Sequence, residues 1–201
     1  PNAGDAGGAM GSALSFLQSK NIHKTKLEQV ETNKCYLGSS YTNKFIEEEL
    51  IMKNVSIKDY SYKKLNDSEL YSEVAKKISE NKIIGWFKGR CEWGPRALGN
   101  RSILADPRNP NIKDILNEKI KLRESFRPFA PAVMEEFSDK YFDLNYPSPY
   151  MLNVVNAKKI AKETVPSVVH VDNTCRVQTV SEIDNFHFYN LIKEFKKQTG
   201  V

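Results

Sequence analysis

Cysteine is scarce in this chain. Only three of the 201 residues are cysteines, namely Cys35, Cys91 and Cys175. Their number is odd, they are far apart in the sequence, and no CxxC pattern occurs. This usage argues against a disulfide framework and against a cysteine-rich zinc site, and it favours reduced thiols in the cytoplasm.

Long hydrophobic runs are also missing. No apolar run approaches the roughly 20 residues that a membrane-spanning helix needs, so we expect no membrane partner. The first residues show no signal-peptide pattern, and they begin with Pro1 rather than with methionine. We therefore expect a cytoplasmic chain that is a piece of a longer protein.

Arginine is scarce as well, and its distribution is uneven. The chain has seven arginines against 23 lysines, and residues 89–131 hold six of the seven. Those six are Arg90, Arg96, Arg101, Arg108, Arg123 and Arg127, and only Arg176 lies elsewhere. Arginine differs from lysine in its planar fork of five donors, which suits bidentate contacts with carboxylate or phosphate. The clustering therefore predicts an anion site.

The net charge of +5 has the same origin. Residues 88–127 contain ten basic and five acidic side chains, whereas the rest of the chain is balanced. A local excess of positive charge indicates a site for an acidic ligand, while a diffuse excess would concern solubility.

The hydrophobic patterning predicts an α+β chain. Helices are expected near residues 6–20, 111–121 and 185–197. A further helix is expected through Phe45, Ile46, Leu50 and Ile51 after a cap at Ser39, Ser40 or Thr42, and another from a cap at Asn66 or Asp67 to a break near Asn81. Strands are expected near 35–38, 55–62, 83–87, 101–105, 129–134, 150–155, 168–172 and 176–180. The order is mixed rather than a regular βαβ alternation. We expect three units: residues 1–20 as the tail of one domain, 21–34 as a polar linker, and 35–201 as a second domain.

Five basic residues of the arginine-rich segment form the strongest candidate site. They are Arg96, Arg101, Lys121, Arg123 and Arg127. Fixed cationic groups of this kind stabilise charge that develops on phosphoryl oxygens. The alternative is a set of surface ion pairs with Glu92, Glu118 and Glu124. Lys113, Asn117 and Lys121 are predicted to form one polar row on the helix that follows.

Two further groups leave alternatives open. His170 and Asp172 are predicted to share one face of a strand, where they could act as an acid–base pair, as metal ligands, or only as partners of neighbouring loops. Trp86, Phe87 and Trp93 beside the basic segment could stack on bases, so an RNA-binding module is the rival function.

Three stretches resemble a known family. GRCEWGPRALGNRSILADPRN, the run IKDILNEKIKLRESFRPFAPAV, and HVDNTCRVQTV are similar to the C-terminal domain of the nodulation and antibiotic O-carbamoyltransferases, and PNAGDAGGAMGSAL resembles the closing motif of that family's N-terminal domain. The resemblance implies a YrdC-like domain with a mixed twisted sheet and flanking helices. It also implies a preceding transferase domain of the acetate/sugar kinase and Hsp70 superfamily as its partner.

The resemblance also implies a chemistry. The C-terminal domain of such proteins makes carbamoyl-adenylate from carbamoyl phosphate and ATP, with magnesium, for transfer to an acceptor hydroxyl. A threonylcarbamoyl-adenylate synthase with the same fold is a further alternative, and we expect no nucleic-acid partner. The family continues beyond the final TG into a segment with a nucleotide-site serine, so residues 35–201 are expected to lack the end of this domain.

The resemblance matches four residues to the family's ligands for carbamoyl phosphate and the nucleotide phosphates: Arg96, Lys121, Arg127 and Arg176. The other candidates for binding come from the residue patterns described above. We assign catalysis to Lys121, Arg127 and Arg176. Binding of substrate or nucleotide is assigned to five residues: Arg96, Arg101, Arg123, His170 and Asp172. Asp5 is expected to be a ligand of an Fe(II)-type metal in the transferase domain.

Overall fold

A computed structural model of the chain describes residues 7–20, 35–53 and 62–201. The α-helices in these ranges are α1 (Gly7–Ser19), α2 (Asn43–Met52), α3 (Asp67–Ser79), α4 (Ile112–Ile115), α5 (Ser138–Tyr141), α6 (Lys159–Thr164) and α7 (Phe186–Thr199). The strands are β1 (Ile84–Phe87), β2 (Arg101–Leu104), β3 (Ala132–Met134), β4 (Val154–Asn156), β5 (Thr174–Arg176) and β6 (Gln178–Val180). The mixed order confirms the α+β class. Asp5, the linker 21–34 and most of the strand expected at 55–62 lie outside the described residues.

Helices α3 and α7 pack against each other, and local sequence signals define both. Asn66 caps α3 in a capping box with Glu69, in which each side chain accepts from the other residue's backbone N–H. Asn185 caps α7 by accepting from the N–H of Phe188 at 3.1 Å. Their facing apolar stripes include Val74, Ile78, Phe188, Leu191 and Phe195.

The strands form three two-stranded sheets within the described residues. β1 pairs antiparallel with β2, β4 antiparallel with β5, and β3 parallel with β6. The strand predicted at 176–180 is therefore divided, because β5 and β6 have different partners on either side of Val177. The strands predicted at 35–38 and 168–172 are absent from the described structure. Residues 166–168 form a 3₁₀ turn instead.

Two hydrophobic clusters make up the core of the described part of the chain. One joins Ala161, Val168, Cys175 and neighbours around β4 and β5. The other lies between α3 and α7 and includes Trp86 of β1. Side chains from both clusters line one cavity.

The helix predicted from Asn111 to Lys121 takes a different form. It is α-helical only over α4 and continues as a π-helix, Leu116–Lys121, which ends at the left-handed Leu122. Asn111 makes no side-chain cap. The polar row predicted with Asn117 is wrong, because the wider turn buries Asn117 completely and leaves Ile120 45% exposed.

His187 at the start of α7 gives stability a pH dependence. The Tyr71 hydroxyl lies 2.7 Å from His187 Nδ1. Burial lowers the pKa of His187, the positive charge of Lys88 lowers it further, and Asp67 opposes them. At a pH between the folded pKa and the ordinary value of 6.5, His187 is therefore mostly protonated in the unfolded chain but mostly neutral in the folded chain.

We accordingly expect stability to fall as the pH drops below about 6.5 through the folded pKa of this histidine. Thermal unfolding between pH 7.5 and 5 should show a falling midpoint, and His187→Asn, which keeps an acceptor for Tyr71 but cannot protonate, should flatten that slope. His170, whose pKa burial also lowers, contributes to the slope that remains. An identical slope in the variant would contradict this assignment.

Candidate anion-binding site

A cavity of about 430 Å³ is lined by side chains of both hydrophobic clusters. Its charged lining is entirely cationic: Arg96, Lys113, Lys121, Arg123, Arg176 and Lys196. No aspartate or glutamate among the described residues lines it. Six cations without a carboxylate around one cavity leave positive charge that a bound anion would neutralise. We call this space the cationic cavity.

Arg176 on β5 is a half-buried member of this group of cations. Its Nε is buried and has no hydrogen-bond partner among the described residues. Burial lowers the pKa of the Arg176 guanidinium, and the nearby positive charge of Arg96 lowers it further. A buried donor without an acceptor is unfavourable, and so are two cations that repel each other. An anion placed between Arg96 and Arg176 would relieve both.

Arg96 is presented by the loop 94–99, whose backbone is held by one carboxylate. Glu92 Oε1 accepts from the backbone N–H groups of Leu98 at 2.7 Å, Asn100 at 2.8 Å and Arg101 at 3.1 Å. Glu92 was predicted as a possible surface ion-pair partner. Instead, its carboxylate anchors the loop from within.

The carbonyl groups of the same loop are bound from other elements. The Leu98 carbonyl accepts from Gln178 Nε2 at 2.9 Å and from the Tyr36 hydroxyl at 2.8 Å. Trp86 Nε1 donates to the Gly99 carbonyl at 2.8 Å. Since Gln178 also lines the cationic cavity, β6 connects the loop of Arg96 to the wall that carries Arg176.

Arg123 and Lys121 reach the cavity from the π-helical turn. The side chain of buried Asn117 accepts from Arg123 Nε at 2.7 Å and donates to the carbonyls of Ser125 and Arg127. The Arg123 guanidinium lies 4.9 Å from the centroid of the Phe129 ring. These contacts fix Arg123, while Lys121, exposed and at the end of the turn, lines the cavity without an ion pair among the described residues.

Two predicted arginines are placed outside the cavity lining. Arg101 stacks 3.5 Å from the Phe87 ring centroid and donates to the carbonyls of Lys88, Gly89 and Asn100. Arg127 forms an exposed ion pair with Glu124 at 2.8 Å. Arg101 thus holds the turn after β1, and Arg127 has the surface pairing that was the alternative expectation for this group.

His170 and Asp172 lie in a turn rather than on a strand face, so the predicted geometry is wrong. The turn passes through Asn173, which is left-handed at φ 65°. Asp172 Oδ1 accepts from the Thr174 backbone at 3.0 Å and hydroxyl at 2.7 Å, and His170 Nδ1 lies 3.0 Å from the same hydroxyl. These bonds to Thr174 hold the start of β5, and neither His170 nor Asp172 lines the cavity.

Sequence reasoning missed several residues of the site. Lys113 was predicted only as part of a polar row, and Lys196 as part of a helix, because lysine is too common here to stand out. Gln178 and Asn117 are buried polar side chains, which the sequence does not distinguish from exposed ones. The position of Glu92 just before a loop with two glycines, Gly94 and Gly99, was the sequence feature that could have indicated its contact with the loop backbone.

Within residues 7–20, 35–53 and 62–201, no helix combines the length and apolarity needed to cross a membrane. The same ranges contain no group of three or more His, Cys, Asp or Glu side chains arranged to hold a metal ion.

The fold and the site together define an α+β chain with a cavity whose charged side chains, among the described residues, are all cationic. Sequence comparison gives the family: the profile described as "Carbamoyltransferase C-terminus" matches residues 75–201. The chain belongs to this family.

Curated relatives extend the match. The chain is 39% identical to Nodulation protein NolNO of Sinorhizobium fredii over 207 residues, covering 100% of the chain and 29% of that protein. It is 39% identical to an uncharacterized protein of Synechocystis sp. over 224 residues, covering 99% of the chain and 35% of the relative. Nodulation protein U of Sinorhizobium fredii is 44% identical over 130 residues, 65% of the chain and 23% of that protein. The chain thus spans about a third of the length of the curated relatives it matches.

Proposed function

We propose that this chain is the adenylate-forming part of an ATP-dependent O-carbamoyltransferase and makes carbamoyl-adenylate from carbamoyl phosphate and ATP. The observation that carries the proposal is the cationic cavity, which six basic side chains and no aspartate or glutamate of the described residues line. Membership of the carbamoyltransferase C-terminus family supports it. The finer assignment of a YrdC-like fold, with a kinase-type transferase domain as its partner, is part of the same proposal.

The reaction requires stabilisation of negative charge at two steps. Water cleaves carbamoyl phosphate to carbamate and inorganic phosphate. An oxygen of carbamate then attacks the α-phosphorus of ATP, and the bond from that phosphorus to the bridging oxygen of the leaving pyrophosphate breaks. Charge develops on phosphoryl oxygens in both steps, and preorganised cations stabilise it without later rearrangement.

The positions of the cations support a division of their roles. Arg96 and Arg176, which repel each other in the free protein, bind the phosphate of carbamoyl phosphate between them. Lys121 and Arg123 approach from the π-helical turn and neutralise the charge of the nucleotide phosphates. A cavity of about 430 Å³ exceeds what carbamoyl phosphate alone would fill and falls in the range of nucleotide-sized sites.

Metal ions enter only through the substrate and the partner domain. Magnesium accompanies ATP, but the cavity lining provides no aspartate or glutamate of the described residues to hold it, so these side chains do not form a magnesium site of their own. Asp5 remains a proposed ligand of the Fe(II)-type metal of the transferase domain and lies outside the described residues.

Lys121 and Lys119 provide a matched test. Lys121 lines the cavity and Lys119, two residues earlier on the same π-helix, does not. We expect Lys121→Ala to weaken the binding of a non-hydrolysable ATP analogue roughly 10-fold or more, by the loss of one charge-assisted contact. Lys119→Ala should change it less than 2-fold. Isothermal calorimetry measures both.

The RNA-binding alternative predicts another pattern in the same experiment. A backbone track for RNA would depend on both exposed lysines, and a short RNA duplex would bind with a strong salt dependence. Equal losses in the two variants, with tight RNA binding and no heat from carbamoyl phosphate or ATP analogue, would overturn the proposed function.

A further inference from the structure

We infer that Glu92 is a positioning residue for the anion of the cationic cavity, acting through Arg96; this rests on the proposed function. Glu92 Oε1 accepts three backbone N–H groups, from Leu98, Asn100 and Arg101, at 2.7 to 3.1 Å. Bonds to an ionised acceptor are roughly twice as strong as neutral ones. A single oxygen therefore clamps the chain on both sides of Gly99.

The clamp also determines what the loop can offer to a ligand. Converging backbone N–H groups in a glycine-containing loop form a concave site that commonly binds a phosphate. Here the carboxylate of Glu92 occupies that place. The N–H groups of Leu98, Asn100 and Arg101 are thus already satisfied, and the Arg96 side chain, which lines the cavity, is the contact that remains for the ligand.

Glu92 reaches Arg96 through a short and rigid connection. Both backbone polar groups of Leu98 are bound, its N–H by Glu92 and its carbonyl by Gln178 and Tyr36. The Leu98 side chain is also 2% exposed. With residue 98 fixed in this way, the chain two residues earlier has a defined direction, and Arg96 is held at the cavity that Arg176 also lines despite the repulsion between their charges.

The test compares single and double variants of the full chain by calorimetric titration with carbamoyl phosphate and with inorganic phosphate. We expect Glu92→Ala to weaken carbamoyl phosphate binding roughly 10- to 100-fold, as for other residues that orient a ligand contact. Glu92→Gln keeps a neutral acceptor and should fall between the wild type and Glu92→Ala. In an Arg96→Ala background, Glu92→Ala should add less than about 2-fold, because the path through Arg96 is gone.

A purely structural part for Glu92 would give a different result. Its loss would then lower the unfolding midpoint and the affinity equally in both backgrounds, and additive affinity losses would overturn the inference. Formate has a carboxylate that can accept from the vacated N–H groups, so it should partly restore carbamoyl phosphate binding to Glu92→Ala but not to the double variant. If Glu92→Ala does not fold, as judged by circular dichroism, Glu92→Gln carries the same comparison, and wild-type affinity in that variant would overturn the inference.

The two proposals fail separately. A wild-type chain that binds neither anion, or an Arg96→Ala variant that binds both as tightly as the wild type, would overturn the proposed function. If Arg96→Ala loses affinity for the anions while Glu92→Ala keeps the affinity of the wild type, only the inference that Glu92 positions Arg96 would be overturned.

Discussion

Arg176→Met is expected to weaken carbamoyl phosphate binding by roughly 100-fold or more while leaving the chain as stable as the wild type or more stable. The two effects have one cause. Arg176 carries a buried Nε without a partner among the described residues, and its charge is opposed by burial and by Arg96. Methionine keeps most of the apolar volume and removes both penalties.

The measurement combines calorimetric titration of carbamoyl phosphate with thermal unfolding in the absence of ligand. A gain of about 1 kcal/mol in stability is the size seen when a strained functional group is replaced. Arg176→Lys is the matched control, because it keeps the charge but loses the planar fork, and it should bind with intermediate affinity.

Two results would contradict the assignment of Arg176. Unchanged affinity in Arg176→Met would remove this residue from the site. A large loss of stability would show that the guanidinium holds the fold together, as Arg101 does through its contacts with the carbonyls of Lys88, Gly89 and Asn100.

Arg101 and Arg176 show how far residue type could predict the site. The concentration of arginines indicated an anion site, and Arg96, Arg123 and Arg176 do line one cavity. The same count could not separate Arg101, because a guanidinium that binds backbone carbonyls has the same sequence signature as one that binds a ligand. Only the local fold decides which acceptors lie within reach.

Local signals also explain which elements were predicted well. The caps at Asn66 and Asn185 are short-range features, and α3 and α7 were expected within a few residues of their observed bounds. The π-helical turn was missed because its wider hydrogen bonding has no sequence period of its own. The buried Asn117 stabilises it through contacts with residues that follow the helix.

His170 illustrates the limit of period-two reasoning. The alternation of residues 168–172 fitted a strand, but the chain reverses at Asn173, where a left-handed residue is bridged by the Asp172 and Thr174 hydrogen bonds. Asparagine and aspartate favour such turns, so Asp172 and Asn173 indicated a turn even though the alternating pattern of residues 168–172 indicated a strand.

Gly99→Ala is expected to cost roughly 2–5 kcal/mol of folding free energy, a large share of the stability of a domain this size. Gly99 has φ +100°, which an L-residue rarely adopts, and an added Cβ would collide with the Phe188 ring of α7. Gly85 is the matched control, since a Cβ there meets nothing within 4 Å and Gly85→Ala should be neutral or slightly stabilising.

Urea denaturation of the two variants separates strain from steric overlap when it is repeated in a Phe188→Leu background. The smaller side chain removes part of the collision. The destabilisation caused by Gly99→Ala should therefore be smaller by at least about 1 kcal/mol in that background. The destabilisation that remains is the cost of the positive φ at residue 99. A Gly99→Ala variant within about 1 kcal/mol of the wild type would contradict the close packing of the loop 94–99 on α7.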